Sequence, residues 1–219
     1  MGLWSTFLTN LGFLRKKVCV LIIGLDNSGK TTLVANFLHP PPPPPLPQKK
    51  FDSDNASSNS SSLLPPSQSQ QQPPLHPPTV PTVGFSLDRF NHHNLHITVF
   101  DMSGQGRYRP FWEHYYGDAD GVVWVIDSSD AARISVAREE FWRTLGHGEI
   151  KQRMPAAPVL VFANKADLSG AMTAEECAAA LGLDAIRDRN WNIVPSCAIT
   201  GQGVAKGLDW LASELSAMS

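Results

Sequence analysis

Gly24-Leu25-Asp26-Asn27-Ser28-Gly29-Lys30-Thr31 matches G-x-x-x-x-G-K-[ST] in full, and its setting decides the fold. The apolar run of residues 18–23 before it predicts a buried strand, and residues 31–38 after it predict a helix. A glycine-rich turn between the two lets backbone N–H groups point inward around a phosphate. Lys30 offers a point charge to β- and γ-phosphates, and the Thr31 hydroxyl can ligate Mg²⁺. The loop marks a phosphate site without choosing the nucleotide, so that choice falls to the rest of the chain.

With 219 residues and 42% hydrophobic content, the chain can bury one substantial core. Subtracting a low-complexity segment leaves no room for a second. A net charge of −2 provides no general field for nucleic acid, so no nucleic-acid partner is expected. Cys19, Cys177 and Cys197 are odd in number and scattered, which excludes a disulfide framework or Cys-rich zinc site and favours a reducing compartment. Cys19, inside the first strand, is expected to be a small core residue.

At the N-terminus Leu3, Trp4, Phe7, Leu8, Leu11 and Leu14 recur at helical spacing, and Arg15, Lys16 and Lys17 follow. Residues 1–17 are therefore expected to form an amphipathic membrane-binding helix ahead of a domain spanning 18–219. A secretory signal would place its charges before the apolar stretch, and this stretch is too short and interrupted to span a bilayer. Packing of the helix on the domain is the alternative. Met1-Gly2-Leu3-Trp4-Ser5-Thr6 also fits the pattern for N-myristoylation at Gly2. A single myristoyl chain binds membrane with K of only about 10⁴ M⁻¹, so helix and basic cluster would have to contribute.

Residues 40–78 hold 13 prolines among 39 residues, with serine and glutamine filling much of the rest. Such a segment cannot pack a core and is expected to be a disordered insertion. It would either be tolerated on the surface or dock a proline-binding module. Beyond it, residues 86–90 and 95–101 predict a β-hairpin around a polar turn, 91–94. His92, His93 and His96 at that turn are expected to be solvated, because no cysteine or carboxylate spacing accompanies them.

The second hairpin strand ends in Asp101-Met102-Ser103-Gly104-Gln105. Asp101 can hold Mg²⁺ through water, Gly104 can bring its N–H to a terminal phosphate, and Gln105 can orient an attacking water. Residues 121–127 and 159–163 are continuous apolar runs, as strands covered on both faces require. The second delivers Asn164-Lys165-Ala166-Asp167, an N-K-x-D spacing. Its carboxylate can accept from guanine N1–H and N2–H₂ while the Lys165 stem lies along the base. Adenine would leave Asp167 unpaired. Ser128 to Asp130 can cap a following helix, and Thr173 with Glu176 forms a capping-box pattern. Residues 191–195 predict the last strand, Ser196-Cys197-Ala198-Ile199 can give a backbone N–H to guanine O6, and Leu208, Leu211 and Leu215 line a final helix.

The phosphate loop, Thr82, Asp101 to Gln105, N-K-x-D and S-C-A in this order resemble a Ras-superfamily small GTPase. The N-terminal helix and Pro81-Thr82-Val83-Gly84-Phe85 narrow the resemblance to the ADP-ribosylation-factor-like (Arf-like) branch. Residues 100–109 and Trp112-Glu113-His114-Tyr115-Tyr116 are similar to its Bardet-Biedl-syndrome, ciliary members. The match covers residues 1–38 and 79–219. It implies an α/β P-loop fold with a six-stranded, mostly parallel sheet flanked by helices.

The resemblance also implies a slow GTPase dependent on an exchange factor and an activating protein. Gly24, Leu25, Asp26, Asn27, Ser28, Gly29, Lys30, Thr31, Thr32, Thr82, Gly104, Asn164, Lys165, Asp167, Cys197 and Ala198 would bind GTP or GDP. Thr31 and Thr82 would ligate Mg²⁺, with Asp101 acting through water and Gln105 serving catalysis. Phe85, Phe100 and Tyr115 would form an aromatic effector patch. The GTP form would sit peripherally on membrane lipid and recruit the BBSome coat for ciliary protein transport, placing the protein in cytoplasm, cilium and basal body. Other vesicle-coat effectors, or a non-cycling nucleotide-binding scaffold, are the alternatives. Ser103 departs from the glycine that most Arf proteins carry there.

Overall fold

The computed structural model describes residues 15–40, 81–153 and 155–218. The expected N-terminal amphipathic segment up to residue 14, Gly2 and residues 41–78 of the insertion lie outside the described residues. β1 (Lys16–Ile23) leads through the glycine-rich loop into α1 (Lys30–Leu38). The chain resumes with β2 (Phe85–His92), β3 (Leu95–Met102), a 3-10 segment (Gly106–Asp118) and β4 (Gly121–Asp127). Next come α2 (Ile134–Gly146), the short α3 (Gly148–Arg153) and β5 (Val159–Asn164). α4 (Ala174–Leu181), β6 (Trp191–Ser196) and α5 (Val204–Ala217) complete the domain.

The six strands form one sheet in the order β2-β3-β1-β4-β5-β6, and only the β2–β3 pair is antiparallel. This is the mostly parallel six-stranded sheet expected from sequence. The apolar runs that predicted covered strands divide by parity between two cores. Leu21 and Ile23, Val122 and Trp124, and Val159 and Val161 face one side, with Trp112, Phe141 and Leu181 packed over them. Val20 and Ile22, Val123 and Val125, and Leu160 and Phe162 face the other, beneath Leu33 and Phe37 of α1 and Leu208, Leu211 and Leu215 of α5.

β1 is longer than the apolar run and takes in Lys16 and Lys17. Lys16 is tied down, its Nζ donating to Leu215 O at 2.9 Å and also to Met218 O. That leaves Arg15 and Lys17 as the exposed cations of the basic cluster. Cys19 is half-buried and not a core residue. Its N–H donates to Asp120 Oδ2 at 2.7 Å, and burial together with Asp120 and Asp118 pushes its thiol up to about 11.

The hairpin turn shortens to His93 and Asn94, with His93 left-handed at φ 51°. Its histidines are not simply solvated. His96 Nδ1 pairs with Asn91 Oδ1, while His92 and His93 reach Asp209 on α5. The capping box of α4 forms as predicted, with Glu176 N–H donating to Thr173 Oγ1 at 3.2 Å and Thr173 N–H to Glu176 Oε2 at 2.8 Å. Asp130 caps the single 3-10 turn, Ala131–Arg133, that leads into α2.

α5 approaches the sheet through Gly207, where an added Cβ would meet Phe162 ring carbons at 2.5 Å. Gly207→Ala would gain about 1 kcal/mol of helix propensity but overpack a fully buried ring at a typical cost of about 1–3 kcal/mol. The variant should therefore unfold at lower urea concentration than wild type, and Phe162→Leu in the same chain should recover part of the loss. A higher midpoint for Gly207→Ala would refute this account of the contact.

Candidate functional site

Parallel strands order their carboxyl ends along one edge of the sheet, and β1 lies where the connections diverge to either side. The phosphate loop follows β1, Ser103 to Gln105 follow β3, Asn164 to Asp167 follow β5, and Cys197 and Ala198 follow β6. Four sequence motifs are thus delivered to one rim by strand register alone. The loop is sharply turned, with φ 144° at Gly24, 62° at Asn27 and 93° at Gly29. A Cβ at Gly24 would stand 2.2 Å from Val125 O, and one at Gly29 would stand 2.2 Å from Asn164 Nδ2. Both positions therefore require glycine.

Within the loop Lys30 is buried, and its Nζ donates to Gly24 O at 3.0 Å and Leu25 O at 2.8 Å. Burial lowers its pKa to about 8, against the pull of Asp101 and Asp26. Thr31 Oγ1 donates to Asp101 Oδ2 at 2.6 Å and lies 2.9 Å from Thr82 Oγ1. Burial pushes the Asp101 carboxyl up, opposed by the Thr31 hydrogen bond and the Lys30 charge. Asp101 Oδ1 and Ser28 Oγ are buried with no protein partner. Two hydroxyls and a carboxylate, with one carboxylate oxygen to spare, make an oxygen-only donor set that fits a hard cation such as Mg²⁺. Thr32 continues α1 beside this group and is half-buried.

The segment after β3 closes against the loop. Ser103 N–H donates to Gly84 O at 2.9 Å, and Trp112 Nε1–H donates to Ser103 O at 3.0 Å. A Cβ at Gly104 would come within 2.3 Å of Asp26 N, so the Leu25–Asp26 peptide sits directly against it. The Gln105 carboxamide turns aside, its Oε1 accepting from Arg107 Nε at 3.2 Å. Two arginines that sequence reasoning passed over brace this arrangement. Arg109 donates to Gly104 O at 3.0 Å, lies 3.6 Å from Asp26 and pairs with Glu140 at 3.1 Å. Arg133 reaches Asp26 at 3.2 Å and Asp130 at 2.6 Å. Arg109 closes the 100–109 stretch that carries the family resemblance but was given no role, and Arg133 belongs to no local motif.

On the far side of the loop Asn164 is the hub. Its Nδ2 donates to Ser28 O at 2.8 Å, and its Oδ1 accepts from Ala198 N–H at 2.9 Å and Ser196 Oγ at 3.3 Å. Asn36 Nδ2 on α1 donates to Ala198 O. The neighbouring Cys197 N–H donates to Gln202 O at 3.0 Å. Lys165, left-handed at φ 63°, pairs with Asp127 at 2.6 Å. Burial alone would raise the Asp127 carboxyl, but hydrogen bonds from Lys165 and Ser129 outweigh it and hold the pKa low. Asp127 was also missed, although an acidic residue ending a buried strand is the signal that singled out Asp101. Asp167 is exposed and makes no contact among the described hydrogen bonds and ion pairs.

Phe85, Phe100 and Tyr115 come together as expected, with ring centroids 4.8 to 6.3 Å apart. Phe85 is 44% exposed, an uncommon setting for a phenylalanine with two aromatic neighbours. No helix among the described residues is long and apolar enough to cross a membrane.

Comparison with known proteins places this geometry. A model of the ADP-ribosylation factor family matches residues 69–215, beginning beyond the phosphate loop. Full-length relatives take in the loop as well. ADP-ribosylation factor-like protein 6 of Danio rerio is 41% identical over 218 residues, covering 100% of this chain and 99% of its own. The protein of that name in Caenorhabditis briggsae is 37% identical, covering 98% and 95%. Among solved structures, the Arl6 BBS3 small GTPase from Trypanosoma brucei, bound to the nucleotide analogue GppNp, aligns with a TM-score of 0.71 at 33% identity. That alignment covers 93% of this chain and 100% of the other. With phosphate loop, hydroxyl–carboxylate cluster and N-K-x-D segment on one rim of the same fold, the chain belongs to the ADP-ribosylation factor family of small GTPases and hydrolyses GTP.

Proposed function

We propose that the chain is a GTP/GDP switch whose GTP form engages membrane and recruits the BBSome for ciliary membrane-protein transport. The observation that carries the switch is the contact of Thr82 with Thr31 and of Gly104 with the Leu25–Asp26 peptide. Two segments far apart in sequence both close on the phosphate loop, so what the loop holds can set their positions. The relatives' names support the ciliary assignment, since the Trypanosoma protein is titled Arl6 BBS3. The exposed Phe85, with Phe100 and Tyr115 behind it, supports an effector surface beside the moving segments.

In this proposal the residues of the phosphate loop, Gly24 to Thr31, with Thr32, hold the phosphates. Thr31 and Thr82 would hold Mg²⁺, with Asp101 behind them through water. The ion supplies positive charge to the phosphate oxygens when bound. Lys30 exchanges the carbonyls of Gly24 and Leu25 for phosphate oxygens, and the Gly104 N–H faces the terminal phosphate. Gln105 must leave Arg107 to orient the attacking water. Asp167 selects guanine, Lys165 flanks the base, and Asn164 holds Ser28 and Ala198 in place around it. Exchange and activating proteins set the cycle. The N-terminal segment, acylated at Gly2, supplies the membrane contact.

Because Lys30 must turn from carbonyls to anionic phosphate, its charged form is favoured on binding and its pKa rises from about 8. Nucleotide binding should thus take up a proton above that pH, and affinity should decline as pH increases through the same range. Calorimetry at about pH 8.5 in buffers of different ionisation enthalpy reads the uptake directly. Finding none would contradict the lowered pKa of Lys30 in the empty site.

Gln105→Leu should bind GTP normally yet hydrolyse it more slowly, most visibly with an activating protein, where catalysis in comparable GTPases rises by up to about 10⁵-fold. Single-turnover rates equal to wild type would remove Gln105 from the mechanism. For the output, liposome flotation with BBSome should recover the complex on vesicles with a non-hydrolysable GTP analogue and not with GDP. Phe85→Ala should lose the BBSome while keeping nucleotide. Recovery of another coat instead would move the reading to a general Arf-like trafficking GTPase, and nucleotide-independent recovery would favour a non-cycling scaffold.

A further inference from the structure

We propose that His92, His93 and Asp209 form a surface site for a divalent transition-metal ion, with Zn²⁺ best suited to the donors, that clips the β2–β3 turn to α5. His92 Nε2 lies 2.8 Å and His93 Nε2 3.0 Å from the same oxygen, Asp209 Oδ1. The three potential ligand atoms all lie within 4.8 Å of one another. Adjacent residues in a strand point to opposite faces, so two neighbouring histidines would ordinarily diverge. Here His93 adopts φ 51° and its ring returns to the side of His92, with centroids 4.2 Å apart.

The chemistry follows from that convergence. Without metal, one carboxylate oxygen sits where two imidazole nitrogens can donate to it. With each ring carrying its proton on Nδ1, both Nε2 lone pairs point into the same small volume, where one divalent ion can accept them together with the carboxylate oxygen. Zinc bonds to imidazole nitrogen and carboxylate oxygen of about 2.0–2.2 Å imply tetrahedral ligand separations of about 3.3–3.5 Å. The two nitrogen–oxygen distances need to open only slightly to meet this. Two nitrogens and a carboxylate leave a position for water, and the mixed donor set is borderline, unsuited to hard Mg²⁺ and lacking the thiolates of a soft-metal site.

The surroundings hold the ligands without enclosing them. Ser216 Oγ on α5 donates to Asn94 Oδ1 at 3.1 Å, so the turn is already docked on the helix by an independent contact. The side chains of His93 and Asp209 are 62% and 54% exposed, giving an ion direct access from solvent. The site stands at the end of β2 and β3 remote from Met102 and the nucleotide rim, about 23 Å away along an eight-residue strand. It is therefore separate from the Mg²⁺ donors described above. Its ligands are 116 and 117 residues apart in sequence, so an ion bound only in the native state would stabilise the fold.

The test uses the full chain without a histidine tag, loaded with Mg²⁺ and GDP in excess Mg²⁺. Zinc titration by calorimetry should give one site per chain and raise the thermal midpoint, and Co²⁺ should give a visible absorption band. His93→Asn keeps a residue that tolerates left-handed backbone, and Asp209→Asn keeps the carboxylate's shape. Each variant should weaken metal binding by at least about tenfold and lose the thermal shift while retaining GDP. Absence of zinc binding in wild type would overturn the site. So would binding of equal strength in both variants, which would locate the metal at the nucleotide or a cysteine.

Discussion

Lys30 and Asp101 are charges held where bulk water does not reach, and the architecture of the rim is arranged around keeping both satisfied. A buried ammonium or carboxylate costs several kcal/mol unless neighbouring groups replace its hydration. Lys30 finds two carbonyls of its own loop, and Asp101 finds the Thr31 hydroxyl. These arrangements are incomplete: the lysine pKa falls to about 8, and one Asp101 oxygen has no protein partner. The energetic debt is localised at the point where phosphate and a cation would relieve it, which ties occupancy of the site to the placement of everything touching it.

What touches it comes from remote parts of the chain. Gly104 rests on the Leu25–Asp26 peptide, Arg109 joins that glycine's carbonyl to Asp26 and Glu140, and Arg133 grips Asp26 from the start of α2. Exposed ion pairs usually contribute little to stability, but a carboxylate shared by two guanidinium groups constrains geometry even where its energetic contribution is small. The effect is to give the phosphate loop, the segment after β3 and helix α2 a common anchor. On the opposite side Asn164 does the same with neutral groups, joining the loop to the ends of β5 and β6. Movement in either segment is therefore felt at the phosphate loop.

The phosphate loop was legible because its chemistry is local: eight consecutive residues specify the turn, and the apolar runs beside them specify strand and helix. The covered strands were legible because both faces are apolar, leaving β4 and β5 nearly without polar residues. Errors arose where local pattern and long-range packing diverge. Lys16 and Lys17 look like the end of a basic helix, yet pairing with β3 draws them into β1. Cys19 looks like core, yet it is only half-buried, beside Asp120 in the loop ahead of β4. The hydrogen bond from Ala198 N–H to Asn164 Oδ1 was likewise invisible in the sequence.

The sequence by itself determined the covered strands, the nucleotide loop, the order of motifs that identifies the family and the cap of α4, each a matter of periodicity or short spacing. Only the tertiary structure decided the Asp26 brace, the Asn164 hub, the Lys165–Asp127 pair and the meeting of two turn histidines with a carboxylate on the last helix. The physical reason is the range of the interaction. A turn or strand is selected by the conformational preferences of neighbouring residues, whereas a contact between residues tens to more than a hundred positions apart exists only once sheet order, register and helix packing have brought their backbones together.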